Sequence, residues 1–276
     1  MNIFSKKSVY YRLKIEMKIR FITAFHLGSG MEGEAGSDNG IMTDPNNMPF
    51  LPGSSLKGIF RSTVERLLST LQLENIWACG LQNGLYTTKP CIGGGVTKEN
   101  TTYHEANKQY QDSNGSNTTL IEQNCCSACQ LFGSPLTAGR LYMDDAFLQN
   151  PDEFVLSKRD GVGINRDSGT SMDSVKYDYD VANTGLKYAI SMEAQEVTEE
   201  EMGLIALGIL EWKHAGIRIG GKTTRGLGHA IIEDISVSHL DLTKAEERKA
   251  YLLKGEMKKE TNVDEFFQEK IDKIIA

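Results

Sequence analysis

The order in which the hydrophobic period changes along the chain constrains the fold more than any other feature. From Val9 to Ala24, Tyr11, Leu13, Ile15, Met17, Ile19 and Phe21 alternate with Arg12, Lys14, Glu16, Lys18 and Arg20. Period two over that length predicts a half-buried strand. In PFLPGSSLKGIFRSTVERLLSTL, Leu56, Ile59, Phe60, Val64, Leu67, Leu68 and Leu71 share one helical face. Pro52-Gly53 breaks the chain before this helix, and Ser54 or Ser55 can cap it. RLYMDDAFL and LKYAISMEA read as strands again. Thr198 opens a second helix with a capping box to Glu201, Gly216 stands at its C-terminal cap, and HAIIEDISVSH is a last strand.

Strand, helix, strand, strand, helix, strand is the order of the split βαβ ferredoxin-like arrangement, which RNA-recognition modules share. The expected class is therefore α+β with an RRM-like core (βαββαβ). Because that arrangement hosts many functions, function must be read from sites. Long polar segments interrupt the core. His26 to Met48, HLGSGMEGEAGSDNGIMTDPNNM, has no period and is longer than compact domains usually keep without a functional reason. Residues 77–130 form an insertion rich in Gly, Thr, Asn and Gln that carries all five cysteines. LSKRDGVGINRDSGTSMDSVKYDYDVANTG, with turn signals at Asp160-Gly161 and Ser168-Gly169, reads as a protruding hairpin or a loop. The chain divides into residues 1–240, a core with insertions, and a Lys/Glu-rich helical tail over 241–276.

Composition narrows the functional classes. The chain has 276 residues, 39% hydrophobic and 24% charged, which suits a globular core and excludes wholesale disorder. No stretch approaches the roughly 18 apolar residues of a membrane span, and the charged N-terminus lacks the apolar region of a secretory signal. Five cysteines, with Cys125 and Cys126 adjacent, fit a reducing compartment better than a disulfide framework, so the expected location is cytoplasmic. A net charge of −7 and a pI near 5.4 argue against a free-standing nucleic-acid binder. Any nucleic-acid function must rest on local basic clusters.

Three constellations can carry chemistry. Cys126-Ser-Ala-Cys129 is a CxxC turn able to place two thiolates on one Zn²⁺. Cys125 can substitute for Cys126, and Cys79, Cys91 or His104 can supply the remaining ligands. Such an ion would hold together an insertion that lacks a core of its own. Buried free thiols or a redox pair are the alternatives. Gly220-Gly221-Lys222-Thr223-Thr224-Arg225-Gly226-Leu227-Gly228 offers bare backbone N–H groups with Lys222 and Arg225, and Gly53-Ser54-Ser55-Leu56-Lys57-Gly58 opens a helix. Neither has the P-loop spacing, yet two anion-friendly turns on one chain point to a polyanion. Glu32, Glu34, Asp38 and Asp44, with His26 at the strand end, either solvate a loop or stand near a scissile phosphate.

FHLGSG, SDNGIMTDP, PFLPGSSLKGIFRS, CCSACQLFGS and GGKTTRGLGHA, in this order from about residue 10 to 238, resemble the motifs of the CRISPR-associated RAMP superfamily. They are most similar to those of the backbone (seventh-family) subunit of type III effector complexes. The resemblance implies an RRM-like core stacked with copies of itself or paralogous subunits along a guide RNA. It implies a thumb hairpin that interrupts the guide–target duplex, and cleavage of target RNA with Mg or Mn. The large polymerase-like and small subunits of the complex are the further implied partners. Asp38 stands where the family has its catalytic Asp in an Ile-Asp-Asn-Pro context, although Ser37 and Gly40 replace the Ile and Pro. His26 matches the His ending the first strand. Ser54, Ser55, Lys57 and Arg61 match guide-backbone contacts, as do Gly220, Gly221, Lys222 and Arg225. Residues 157–184, with Arg159 and Arg166, fit the thumb. Cys125, Cys126 and Cys129 fall where several relatives bind zinc.

Rival readings are a non-catalytic RNA-binding scaffold of the same complex, a stand-alone guide-RNA processing nuclease using His26, and a zinc-stapled small-molecule enzyme. No catalytic motif supports the last.

Overall fold

The computed structural model describes residues 11–33, 36–80, 91–94, 101–113 and 123–275; Glu34 and parts of the cysteine-rich insertion lie outside these. The first strand, β1 (Tyr11–Phe21), keeps the predicted alternation: Leu13, Ile15, Met17, Ile19 and Phe21 are buried. Its charged face is paired, not bare. Lys14 meets Glu16 at 2.8 Å, Lys18 meets Asp234 at 3.5 Å, and Arg20 meets Glu233. Acidic neighbours thus offset the basic stripe.

Strand β1 lies inside an antiparallel sheet, between β5 (Lys187–Val197) and β7 (His229–Asp241). With β2 (Leu141–Met143) and β6 (Ile217–Arg218) the order is β2-β5-β1-β7-β6, and β8 (Lys258–Lys259) pairs with β7. Helix α1 (Gly53–Leu71) follows β1, and α4 (Glu199–Ala215) follows β5. The two helices share one core with the apolar face of β1. Phe60 meets Trp212 edge-on at 4.8 Å, and the Trp212 indole N–H donates to Thr63 Oγ1 at 3.1 Å. Burying an aromatic pair while satisfying the indole fixes the helix–helix register.

The start of α1 differs from the sequence expectation. Neither Ser54 nor Ser55 caps it; Pro52 holds the cap position. The Gly53 N–H donates instead to Asp145 Oδ1 at 2.7 Å. A Cβ at Gly53 would lie 2.1 Å from the Met143 carbonyl oxygen, so only glycine lets the helix start against the end of β2. A tertiary carboxylate thus does the work of a local cap. At α4 the local reading holds: Thr198 and Glu201 form the capping box, and Gly216 ends the helix at φ 74°. Glu201 also pairs with Arg140 in the interior.

Within the insertion, α2 (Thr101–Asp112), a 3₁₀ turn (Ile92–Gly94) and α3 (Ser127–Phe132) contribute Ala106, Ile92 and Leu131 to the main core. The polar segment after Val155 is a hairpin of β3 (Leu156–Ile164) and β4 (Ser171–Ala182), separate from the main sheet. Two-stranded ribbons are marginal alone. This one is anchored at its base, where Tyr179 and Val181 pack on Leu227. After β7, α5 (Ala245–Lys254) buries no residue. Helix α6 (Val263–Ile275) places Phe266, Phe267, Ile271 and Ile274 in the main core. No described helix is long and apolar enough to cross a membrane.

Candidate nucleic-acid groove and four-cysteine centre

A groove of about 630 Å³ runs between α1, α4 and the glycine-rich loop. Helical spacing puts Ser55, Gly58, Ser62 and Arg66 of α1 on its wall, and Arg218 and Gly220 enter from the loop side. The loop is stitched to the end of β1. The Gly221 N–H donates to the His26 carbonyl at 2.7 Å, and the Gly228 N–H to the Ala24 carbonyl at 2.8 Å. Gly228 has φ 73°, and a Cβ there would lie 2.0 Å from the Ile219 carbonyl oxygen, so the return needs glycine. Two motifs far apart in sequence therefore border one cleft.

The remaining motif cations point elsewhere. Lys222 lies over the Tyr179 ring, with Nζ 4.0 Å from the centroid, and Arg225 donates to the Tyr177 hydroxyl. They tie the glycine loop to the hairpin base. Ser54 is exposed at the helix start. Neither Lys57 nor Arg61 lines the groove: the Lys57 ammonium lies beside Gly139, and Arg61 reaches Cys129 of the insertion. Burial, then the Arg61 charge, pushes the Lys57 ammonium below its usual range. Arg159 and Arg166 are exposed, on β3 and in the hairpin turn.

Strand β4 also holds the His26–Met48 segment. The His26 Nδ1–H donates to the Asp180 carbonyl at 2.7 Å, a partner that only accepts and so sets the tautomer. Burial, then the Lys222 charge, holds the His26 imidazole below its ordinary value, against the pull of the Asp180 carbonyl. Two residues earlier, Asp38 and Asp178 exchange bonds. The Asp38 N–H donates to Asp178 Oδ1 at 2.7 Å, and the Asp178 N–H to Asp38 Oδ2 at 2.9 Å. Asp178 is itself paired with Lys158 at 2.6 Å. The Asp180 N–H donates to the Asn39 carbonyl at 3.0 Å. Asp38 stays exposed, and its Oδ1 has no hydrogen-bond partner among the described residues.

Cys79, Cys91, Cys126 and Cys129 converge with all four Sγ atoms within 4.8 Å of one another, every residue buried. Cys79 and Cys129 Sγ are 3.6 Å apart. Zn–S bonds of about 2.3 Å in a tetrahedron require S···S of ~3.8 Å, so the spacing fits one zinc ion. Backbone N–H groups of Gly93 and Cys126 donate to Cys91 Sγ at 3.3 Å, and that of Cys129 to Cys126 Sγ at 3.3 Å. Such donors favour thiolates. Hydrogen bonds from the surrounding thiols, Cys125 first, hold Cys91 below its usual range. The same sharing pushes Cys129 up, with Cys126 the largest influence. A Cβ at Gly93 would lie 2.1 Å from Cys129 Sγ, so the turn closes over the sulfurs only as glycine.

Of the six sequence candidates for metal, the fold gathers these four. Cys125 lies outside the set of four, and its Sγ meets Ser134 Oγ at 3.8 Å. His104 lies exposed on α2, outside the set. Sequence reasoning missed Arg66 and Arg218. Arg66 continues the Ser55–Gly58–Ser62 face, a signal present in the helical period; Arg218 precedes the glycine run, and only its position in the groove marks it.

Comparison with curated proteins returns no match. Among solved structures, a chain of the type III-B Cmr-beta complex bound to cognate target RNA is similar at 15% identity and TM-score 0.49. The match covers 83% of this chain and 61% of that one, so this chain spans about three fifths of its length. The family model of the RAMP superfamily matches residues 18–231, which takes in the end of β1, the groove, the cysteine centre, the hairpin and the glycine loop. With more than half its length matched, the chain belongs to the RAMP superfamily.

Proposed function

We propose that this chain is the guide-RNA-binding backbone subunit of a type III CRISPR effector complex, acting in the cytoplasm. The observation that carries the reading is the groove that joins the serine face of α1 to the glycine loop through Arg66 and Arg218. The Ser55 and Ser62 hydroxyls and the two guanidiniums form a surface for sugar-phosphate, on a lining that also holds Glu211, and phosphate contacts position RNA without reading its sequence. Neither guanidinium has a hydrogen-bond or ion-pair partner among the described residues. The RRM-like core is supported by the order β2-β5-β1-β7, with a helix after β1 and another after β5. The RAMP domain is then 1–240, with 241–276 as its helical extension.

The β3–β4 hairpin is read as the thumb. Val162 and Ile164 are 50% and 61% exposed on it, and apolar side chains of that kind wedge between bases. A strand kinked there can align a 2′-oxygen with the neighbouring phosphorus, worth about 7–11 kcal/mol in favourable cases. Asp38 is assigned to the scissile phosphate. Its Oδ2 is fixed by the Asp178 N–H, which leaves Oδ1 to orient the reacting group or to hold a Mg or Mn ion. A hard cation of that kind takes its other ligands from phosphate and water and neutralises phosphate charge. His26 is assigned to holding the loop: it is buried, with Nδ1 and its carbonyl both engaged. That also disfavours the stand-alone nuclease. A structural Zn²⁺ on Cys79, Cys91, Cys126 and Cys129 staples the insertion.

A scaffold role without cleavage is the second reading, favoured by the tie of the Asp38 carboxylate to β4. The implied partners are guide RNA, target RNA, further copies or paralogous subunits, and the large and small subunits of the complex. The test is Asp38→Ala in a complex reconstituted on guide RNA. Target cleavage is expected to fall by on the order of 10²-fold or more while target binding is retained. Full-rate cutting by the variant removes the Asp38 assignment. A wild-type complex that binds target but never cuts it favours the scaffold.

A further inference from the structure

We infer that Arg61 serves the four-cysteine centre and not the RNA: its guanidinium is the charged donor that seats a tetrathiolate metal site against α1. This rests on the metal reading of that centre. All three guanidinium nitrogens are engaged. Nε donates to Glu65 Oε1 at 2.8 Å, Nη1 to the Gly133 carbonyl at 2.9 Å, and Nη2 to Cys129 Sγ at 3.1 Å. The side chain is 13% exposed and Glu65 only 7%, so three of the five N–H donors are committed inside the protein and little of the fork reaches solvent. The sequence motif that holds Arg61 therefore splits. Its serine face borders the groove, and its arginine turns to the sulfurs.

The charge arithmetic explains the contact. A divalent ion with four thiolates carries two negative charges, and a buried charge is costly unless it is paired and hydrogen-bonded. The backbone N–H groups of Gly93, Cys126 and Cys129 give the sulfurs neutral dipoles. Arg61 brings a positive charge to the Cys129 sulfur; the Glu65 carboxylate balances it on the Nε side and, as its i,i+4 partner, fixes the orientation of the fork. Its bonds span the last turn of α3, from Cys129 to the capping Gly133. Outer partners of metal ligands set the ligands' basicity and orientation. Arg61 is thus a positioning residue of the metal site, and it couples metal loading to the helix whose neighbouring face lines the groove.

The experiment uses the full chain loaded with Zn²⁺ or Co²⁺, as wild type, Arg61→Gln and Arg61→Lys. Metal affinity, measured by competition with a chromophoric chelator, is expected to fall about 10–100-fold in the glutamine variant, with partial rescue by lysine. The sulfur-to-cobalt charge-transfer band should shift in the glutamine variant, because one thiolate loses its charged donor. At metal saturation the affinity for an RNA oligonucleotide and its salt slope should match wild type. Metal affinity within twofold of wild type with an unmoved band overturns the inference. So does a salt slope lower by about 0.7, the mark of a lost single-strand phosphate contact, with metal affinity intact. If the glutamine variant does not fold, the lysine variant decides alone: unchanged metal affinity overturns, and at least threefold weaker binding supports. A wild-type chain that takes up neither ion overturns the metal reading itself, a result distinct from those above.

Discussion

Helix α1 presents two faces built from the same motif and put to opposite uses. On one, Ser55, Gly58, Ser62 and Arg66 are small or cationic and border open space. On the other, Arg61 and Glu65 are buried against Cys129 and Gly133. Residues one position apart in sequence thus differ by about 100° around the helix and fall in different chemistry. A basic residue inside a binding motif is therefore not by itself a ligand contact. The direction of its side chain decides whether its charge neutralises RNA or thiolate.

The largest expected effect lies on the thiol side. Cys126→Ser with Cys129→Ser removes two of the four sulfurs. Elemental analysis should show loss of zinc, and unfolding should show loss of metal-linked stability on the order of 10 kcal/mol. An unchanged melting curve would break the contrast, leaving that face as ordinary core. Next comes Gly53→Ala, where both faces begin. The added methyl meets the Met143 carbonyl, and denaturant titration should find a loss of about 1–3 kcal/mol. A neutral result would mean that the helix start shifts freely.

On the groove side, Arg66→Ala with Arg218→Ala should weaken RNA binding roughly tenfold and lower the salt slope by about 1.4, with the melting temperature unmoved. Equal weakening from Arg61→Lys at metal saturation would erase the distinction between the faces. The smallest effect concerns His26, beside the glycine loop. Burial holds its folded pKa below the unfolded value of 6.5. Below about pH 6.5 the unfolded chain therefore binds the extra proton. The stabilisation is full above that pH and fades as pH falls toward the folded pKa. The melting-temperature gap between wild type and His26→Gln should narrow on going from pH 7.5 to 5. A gap that widens with acid contradicts the burial argument.

Much of this was legible in the residues. The alternation of β1, the capping box at Thr198–Glu201 and the stop at Gly216 are local signals, and each appears where the pattern places it. Of the two turn signals after Val155, Ser168-Gly169 marks the hairpin turn, whereas Asp160-Gly161 lies inside β3 opposite Asp178 and Tyr177, because cross-strand pairing overrides the local turn preference. The α1 cap was not legible, because Asp145 comes from 92 residues away. Nor was the choice among six metal candidates, since only folding decides which sulfurs share a centre: Cys126 turns in, and its neighbour Cys125 turns to Ser134. Arg66 carries a signal in the helical period of α1; Arg218 carries none.

Sequence alone determined the succession of elements, the glycines that permit tight returns, and the supply of thiols and cations. Those follow from local sterics and hydrophobic period, which act within a few residues. Tertiary structure decided which cation faces which anion, because charge pairing depends on distances set when segments far apart in the chain are packed together. The division of α1 between Arg66 on the groove and Arg61 on Cys129 is that decision in one helix.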